Sequence, residues 1–255
     1  MWNKNGLNIR QQDIAEWLHQ VQSATIQDLS DQFRVSDETI RRDLRHLSEN
    51  GLVEKFHGGV RFNVPSAEAP FKSRMRVMAQ EKSQIAVRAA KLIENEATVF
   101  LDNSSTACFL ARQLAKRNDL TIITLSLEIA NILSTGPKGN RVILSGGELR
   151  AEDQTLTGTE AINFITQFTP NMCFISVAAV SPIHGCMDFD LFESDFKRAV
   201  IPLADQVVLL SDHSKFDKSG LIKVCDLSAF NTLVTDQAVP KSVADKMKHG
   251  KIVVA

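Results

Sequence analysis

The sequence predicts an α/β protein in two unequal parts. A small helical module closed by a hairpin occupies residues 1–62, and a parallel α/β domain occupies residues 85–255, with a linker at 63–84. Three observations predict this. Apolar residues recur at helical spacing through residues 8 to 62. After residue 85, seven short β-branched apolar runs alternate with helical patterns. Between the two, Pro65, Ser66 and Pro70 break structure while Lys72, Arg74, Arg76 and Lys82 add positive charge.

The module's elements follow in order. Ile9, Ile14, Trp17, Leu18 and Val21 form the apolar face of a first helix. Thr25 is placed to N-cap a second, with Asp28 three positions on as an imperfect capping box, and Ile26, Leu29 and Phe33 supply its apolar side. "RVS" makes a tight break. Ser36 then N-caps a third helix, with Asp37 and Glu38 in the first turn, where the dipole favours them. Ile40, Leu44 and Leu47 continue the spacing, and Asn50-Gly51 is a left-handed stop. "LVEKFHGGVRF" reads as two extended runs around Gly58-Gly59, a hairpin.

In the larger part the runs are 97–102, 120–124, 141–145, 172–179, 206–211, 231–236 and 251–255. Helical patterns lie at 105–116, 126–134, 159–168 and 190–202. Uninterrupted apolar strands alternating with helices indicate a parallel sheet covered on both faces.

Composition bounds the function. The chain has 255 residues, 44% hydrophobic and 23% charged, with a net charge of −1, so no global field draws it to nucleic acid or membrane. Cys108, Cys173, Cys186 and Cys225 form no CxxC, so zinc and redox motifs are unsupported and no metal or cofactor is expected. No stretch approaches 18 apolar residues and the first residues lack a secretory apolar core. A cytoplasmic setting without membrane contact is expected.

Helix, short helix, tight turn, third helix and hairpin is the order of a winged helix-turn-helix, whose third helix enters the major groove of DNA. Ser36, Thr39, Arg41, Arg42 and Arg45 stand at its working end and face. Lys55, His57 and Arg61 are placed to touch the backbone or minor groove, with Gly58 and Gly59 permitting close approach. Residues 1–62 carry eight Lys/Arg and nine Asp/Glu, so segregation of charge carries the argument: every basic residue of 34–62 lies on the third helix, its lead-in or the hairpin. The plainer alternative is a solvated face with pairs such as Glu38–Arg42.

The larger part offers polar clusters at strand ends, where parallel sheets bind ligands. Asp102 is followed by Ser104, Ser105 and Thr106 at a helix start, an anion site or ordinary capping. Ser126 is a cap or a ligand contact. Gly146-Gly147 allows backbone approach or a turn. Glu193 and Lys197 form an i,i+4 pair on a helix that starts acidic. Asp212 and Lys215 follow another strand, with Lys215 the best candidate for neutralising a phosphate; a lone His such as His213 is more often not functional.

The stretch "VSDETIRRDLRHLSENGLVEKFHGGV", 35–60, resembles the signature of the DeoR family of bacterial sugar-metabolism repressors, with Val60 in place of a usual Ala. The likeness extends over nearly the whole chain, through Asp102 to Thr106, Gly146 to Arg150, Glu193 to Arg198 and Asp212 to Phe216. "MDFDLFES" is similar to the subgroup that contains the glycerol-3-phosphate regulon repressor. The resemblance implies a sensor domain of the fold of ribose-5-phosphate isomerase and glucosamine-6-phosphate deaminase. It also implies a sugar-phosphate pocket at those four segments. Departures are Leu125 where Asn is usual, Ala178-Ala179 for a Gly-containing turn, and Ala107 after Thr106.

The expected function is therefore a transcriptional regulator, a repressor of carbohydrate or polyol catabolism genes and not an enzyme. It would bind operator DNA as a dimer or tetramer and be released by a phosphorylated sugar or polyol. The rival is a sugar-phosphate isomerase or deaminase carrying a DNA-binding module, with Asp102 or Glu193 as its base.

Overall fold

The computed structural model describes residues 7–21, 23–49, 52–56, 59–62, 68–136 and 139–255. The chain divides into two compact units, Met1–Pro65 and Ser66–Ala255.

The first unit runs α1 (Ile9–Val21), β1 (Ser23–Ala24), α2 (Ile26–Phe33), α3 (Asp37–Glu49), β2 (Val53–Phe56) and β3 (Gly59–Phe62). Its core joins Ile14, Ala15 and Leu18 of α1 to Leu29, Ile40, Leu44, Leu47, Val53 and Val60. Trp17 meets Phe33 edge-on, with ring centroids 6.1 Å apart. Two residues of the expected α1 face lie elsewhere: Ile9 is 79% and Val21 43% exposed. At 100° per residue Ile9 points about 140° away from Ile14, outside the core stripe.

The cap of α2 is a complete reciprocal box. Thr25 Oγ1 accepts from the Asp28 N–H at 3.1 Å, and Asp28 accepts from the Thr25 N–H at 2.8 Å. The break before α3 is Arg34 in the left-handed region, φ 52°. β2 and β3 pair antiparallel and β1 adds to β3, a two-residue strand too short to show in a pattern. The expected stop at Asn50-Gly51 and the turn residues His57 and Gly58 lie outside the described residues.

The second unit opens with α4 (Phe71–Arg74) and α5 (Ala79–Ala90), where a linker was expected up to residue 84. Phe71, Met75 and Ala79 pack on the unit's core, and Lys82 is only 4% exposed. Of the charges of this stretch, Arg74 and Lys82 are folded inward while Lys72 and Arg76 stay exposed, which local composition cannot reveal.

There follow β4 (Thr98–Leu101), α6 (Ser105–Leu114), β5 (Thr121–Thr124), α7 (Leu127–Ser134), β6 (Arg141–Leu144), β7 (Glu148–Arg150), β8 (Thr155–Thr157), α8 (Thr159–Ile165), β9 (Met172–Ile175), β10 (Ala179–Ser181), β11 (Gly185–Asp188), α9 (Leu191–Val200), β12 (Gln206–Leu210), β13 (Ile222–Cys225), β14 (Thr232–Thr235), α10 (Lys241–Ala244) and β15 (Lys251–Val254). The seven expected strands form one sheet, order β15-β14-β12-β9-β4-β5-β6, with every pair parallel.

Successive strand residues face opposite cores. Val99, Leu101, Val208 and Leu210 pack with α5, α6 and α7, while Phe100, Val207 and Leu209 pack with α8, α9 and Phe230. Burial on both faces removes polar alternation, which is why these strands read as unbroken apolar runs.

Two small sheets, β7-β8 and β10-β11-β13, were not anticipated. The run 172–179, expected as one strand, ends at Ile175 because side chains take its next amides. The Ser176 N–H donates to Asp102 at 2.6 Å and the Ala178 N–H to Asp188 at 2.8 Å.

Candidate functional site

In the first unit, α3 presents two faces. Ile40, Asp43, Leu44 and Leu47 are buried; Arg41, Arg42 and Arg45 are exposed. At its start Ser36 Oγ lies 3.0 Å from Thr39 Oγ1 and 3.4 Å from the Thr39 N–H. Among the described residues no carboxylate pairs with Arg41, Arg42 or Arg45, so the alternative of an internally paired face, including Glu38–Arg42, does not form. Arg41, Lys55, exposed Phe56 and the start of α2 (Thr25 to Gln27) line one groove. Arg61 is instead paired across the hairpin to Glu54 at 2.8 Å. Gly59 serves packing: a Cβ there would lie 2.7 Å from the Ala24 carbonyl oxygen of β1.

Asp43 is a polar anchor that helical spacing alone did not reveal. It is 2% exposed, and it accepts from Arg10 Nε at 2.7 Å and Gln11 Nε2 at 3.0 Å, tying α3 to α1.

In the second unit, chain direction reverses at β4. The path goes from β4 outward through β5 and β6, then returns to β9 on the other side. Such a switch point opens a crevice at the carboxyl ends of the flanking strands. The crevice here is a narrow polar cleft. Ser104, Ser105 and Thr106 line it after β4, Ser176 and Val177 after β9, and Lys215 after β12. Asp188, Glu193 and Lys197 form one wall; Glu68, Arg74 and Lys82 form another.

Asp102 shapes the cleft from behind. Fully buried, its carboxylate accepts from the N–H groups of Ser104 (3.0 Å) and Ser176 (2.6 Å), joining the ends of β4 and β9. Burial pushes its pKa up, against the pull of Lys197 and these hydrogen bonds. Ser104 N-caps α6 through the Ala107 N–H at 3.0 Å.

The acidic wall is neutralised in place. Lys197 Nζ lies 2.7 Å from Asp188 and 3.6 Å from Glu193. Burial alone would depress this amine, but Asp188, Glu193 and Asp102 outweigh it and raise it. Glu193 also accepts from Asn103 Nδ2 at 2.6 Å and from Arg150. Arg150 is held in turn by Asp153 at 2.6 Å and Asp190 at 3.4 Å. The Gly146 to Arg150 segment thus contributes Arg150, which orients Glu193, while its glycines stand outside the cleft. Gly147 has φ 126°, and a Cβ there would lie 2.4 Å from the Thr157 carbonyl oxygen.

The lining as a whole is less balanced. Four cations, Arg74, Lys82, Lys197 and Lys215, face three carboxylates, Glu68, Asp188 and Glu193. Burial pulls the Lys82 amine down to about 8, with Asp212 opposing and Lys215 and Arg74 reinforcing. Lys218 is lowered too, by burial and then by Lys215. Arg74 Nε is buried with no hydrogen-bond partner.

Of the residues proposed from sequence, Ser104, Ser105, Thr106, Glu193, Lys197 and Lys215 come together here. Ser126 does not: fully buried, it caps α7 through the Ile129 N–H at 3.2 Å. Asp212 is buried behind the cleft and caps the turn that aims Lys215, accepting from the Ser214 N–H at 3.0 Å. His213 turns to Asp236, 2.5 Å away. Missed were Glu68, Arg74 and Lys82, hidden in a stretch read as linker, Ser176 and Val177, hidden in a strand reading, and Asp188, read only as one of the acidic residues at a helix start. An apolar Phe71 and Met75 among the charges were the only signal.

Among the described residues no helix is long and apolar enough to cross a membrane, and no group of three or more His, Cys, Asp or Glu side chains is placed to hold a metal.

Comparison with known proteins agrees with this division. Residues 10–66 match a DeoR-like helix-turn-helix domain and residues 77–237 the DeoR C terminal sensor domain. A glycerol-3-phosphate regulon repressor of Escherichia coli (strain K12) is 33% identical over 234 residues, 92% of each chain. The transcriptional repressor CsqR of the same strain is 30% identical over 227 residues, 89% of this chain and 87% of the other. Ribose 5-phosphate isomerase A from Methanocaldococcus jannaschii overlaps 55% of each chain at 16% identity, with a TM-score of 0.40.

Proposed function

The chain belongs to the DeoR family, and from that premise we propose that it is an operator-binding repressor of sugar or polyol catabolism genes. A phosphorylated sugar, or a polyol phosphate resembling glycerol 3-phosphate, releases it. The observation that carries the effector reading is the cationic cleft at the β4/β9 switch point, whose lining joins Ser104, Ser105 and Thr106 at the start of α6 with Lys82 and Lys215.

A phosphate suits that corner because helix-start N–H groups and ammonium groups both favour an anion there. The acidic wall suits the rest of the molecule. Asp188 and Glu193 are held by Lys197, Arg150 and Asn103, and their remaining lone pairs can accept from sugar or polyol hydroxyls.

Operator reading is assigned to α3. Ser36, Thr39, Arg41 and Arg42 meet base edges or phosphates in the major groove, and Arg45, Lys55 and Gly59 meet the backbone. Two copies are required for a symmetric operator, spaced about one turn of DNA, roughly 34–36 Å, apart. Release requires an effector that prefers the weakly DNA-binding state of that assembly.

A sensor is favoured over an isomerase because Asp102, the first candidate base, is committed to two backbone N–H groups and fully buried. The test is a thermal-shift screen of phosphorylated three- to six-carbon metabolites, followed by gel shifts and turnover assays with the compounds that bind. One of them stabilises the protein and frees operator DNA without being consumed. Catalytic turnover, or no binding by any phosphorylated compound, would overturn the reading.

A further inference from the structure

One wall of the cleft belongs to no strand end. Glu68 and Arg74 come from the segment ahead of α5, and Glu68 is three positions after Pro65, where the first unit ends. The Glu68 carboxylate lies between two of the cleft's cations: Oε2 is 2.9 Å from Arg74 Nη1, and Oε1 is 3.9 Å from Lys215 Nζ. A carboxylate bridging a guanidinium and an ammonium makes the contacts that phosphate oxygens make in a phosphate subsite.

Its fit is incomplete. Arg74 Nε stays buried and unpartnered, so one edge of the guanidinium is unused. A phosphate has three oxygens to offer where the carboxylate has two, and carries nearly twice the charge. Glu68 is 30% exposed and returns to water at small cost, whereas Arg74, at 17%, lies over the Phe71 ring, 5.5 Å from its centroid.

The segment is fastened by the same group of residues. Lys82 Nζ donates to the carbonyls of Arg74 at 2.5 Å and Val77 at 2.9 Å. Met78 then turns the chain into α5 at φ 53°. The cations beside the cleft therefore both face its interior and hold the backbone that leads toward the DNA-binding unit.

We propose that Glu68 is an internal occupant of the effector's phosphate subsite, that Arg74 and Lys215 are the ligands it covers, and that the effector's phosphate displaces it. Displacement frees residues 68–70 while Phe71 and Met75 stay packed. This rests on the reading of the cleft as the effector site. Coupling runs both ways: whatever holds Glu68 on Arg74 weakens phosphate binding, and phosphate binding loosens the segment.

The experiment uses the full chain, inorganic phosphate and glycerol 3-phosphate as probes, and the variants Glu68→Gln, Glu68→Asp, Arg74→Met and Lys215→Ala. Calorimetry reads affinity; limited proteolysis reads the accessibility of residues 68–70. Glu68→Gln binds inorganic phosphate at least about fivefold tighter than wild type, within the usual range of such couplings. Arg74→Met and Lys215→Ala bind it more weakly. Phosphate speeds cleavage of wild type within 68–70, and Glu68→Gln is cleaved fast without it. Glu68→Asp, which keeps the charge, stays near wild type and controls for damage to the fold.

If wild type binds either probe through Lys215 but Glu68→Gln binds no tighter, the internal occupant is refuted and the effector reading stands. Unaltered cleavage on binding refutes the release of the segment. If neither probe nor any phosphorylated metabolite binds any variant, the effector reading falls and this proposal with it.

Discussion

Lys197 Nζ lies 2.7 Å from Asp188 Oδ2, with both side chains at most 5% exposed. The other Asp188 oxygen accepts from the Ala178 N–H at 2.8 Å. One buried pair therefore fastens α9 to β11 and to the turn after β9, and it neutralises Asp188 in the acidic wall of the cleft. Removing one partner strands the other charge in a site built for two.

Lys197→Met is expected to destabilise the second unit by about 3–5 kcal/mol, the usual cost of leaving a buried charge unpaired. The double variant Lys197→Met/Asp188→Asn loses less than the sum of the single changes. Urea unfolding of the four proteins measures both, and additivity would remove the pair as a structural unit.

Arg41→Ala and Arg42→Ala each weaken operator binding while circular dichroism stays unchanged. A residue on a phosphate lowers the salt dependence by about one in log–log slope, and one on a base costs about 1–3 kcal/mol at one operator position. Gel shifts at several salt concentrations separate the roles. Wild-type affinity in both variants would take α3 out of the groove.

Lys215→Ala still binds the operator but is no longer released by the effector that frees wild type. Its ammonium lines the cleft, and Asp212 braces its turn from behind. Normal release in a titration would remove Lys215 from the phosphate subsite.

Asp43→Ala lowers the stability of the first unit by about 1–3 kcal/mol, because buried Gln11 Nε2 and Arg10 Nε lose their acceptor. Operator binding falls in parallel as α3 loosens from α1. Thermal unfolding of the isolated change is the check, and an unshifted midpoint would show the anchor to be dispensable.

Phosphate-ester affinity is expected to fall as pH rises through about 8. Burial sets the Lys82 amine near that value, with Asp212 and Glu68 raising it and Lys215 and Arg74 lowering it. Below pH 8 the amine is already charged and binding needs no proton. Above it, binding a dianion raises the amine's pKa and must take up a proton, so affinity declines. The ester itself is dianionic above about pH 7 and adds no slope there. Calorimetry from pH 7 to 10 shows the decline, and Lys82→Met flattens it.

Legibility in the sequence followed the range of the forces involved. The seven sheet strands were readable because each is buried on both faces, so apolarity alone marks it. The capped starts of α2 and α6 were readable because Thr25 and Ser104 act on amides three residues away. β10, β11 and β13 were not, since their strands are only three or four residues long and β11 meets β13 across tens of residues of chain.

The candidate site divided in the same way. Ser104, Ser105, Thr106 and Lys215 stood out as polar clusters following apolar runs, while Ser126 had the same local pattern and proved to be a cap. Only strand order separates them: β4, β9 and β12 are neighbours at the switch point, and β5, which precedes Ser126, lies on the far side of β4.

By itself the sequence determined the sheet's strands, the third helix with Arg41 and Arg42 outward, and the family. All of these are written in spacing within one or two turns of chain. The tertiary structure decided which strand ends share a crevice, that Asp102 is a brace, and that Glu68, Arg74 and Lys82 belong to the cleft. Those outcomes depend on groups far apart in the chain meeting where water is excluded, and local spacing carries no record of such meetings.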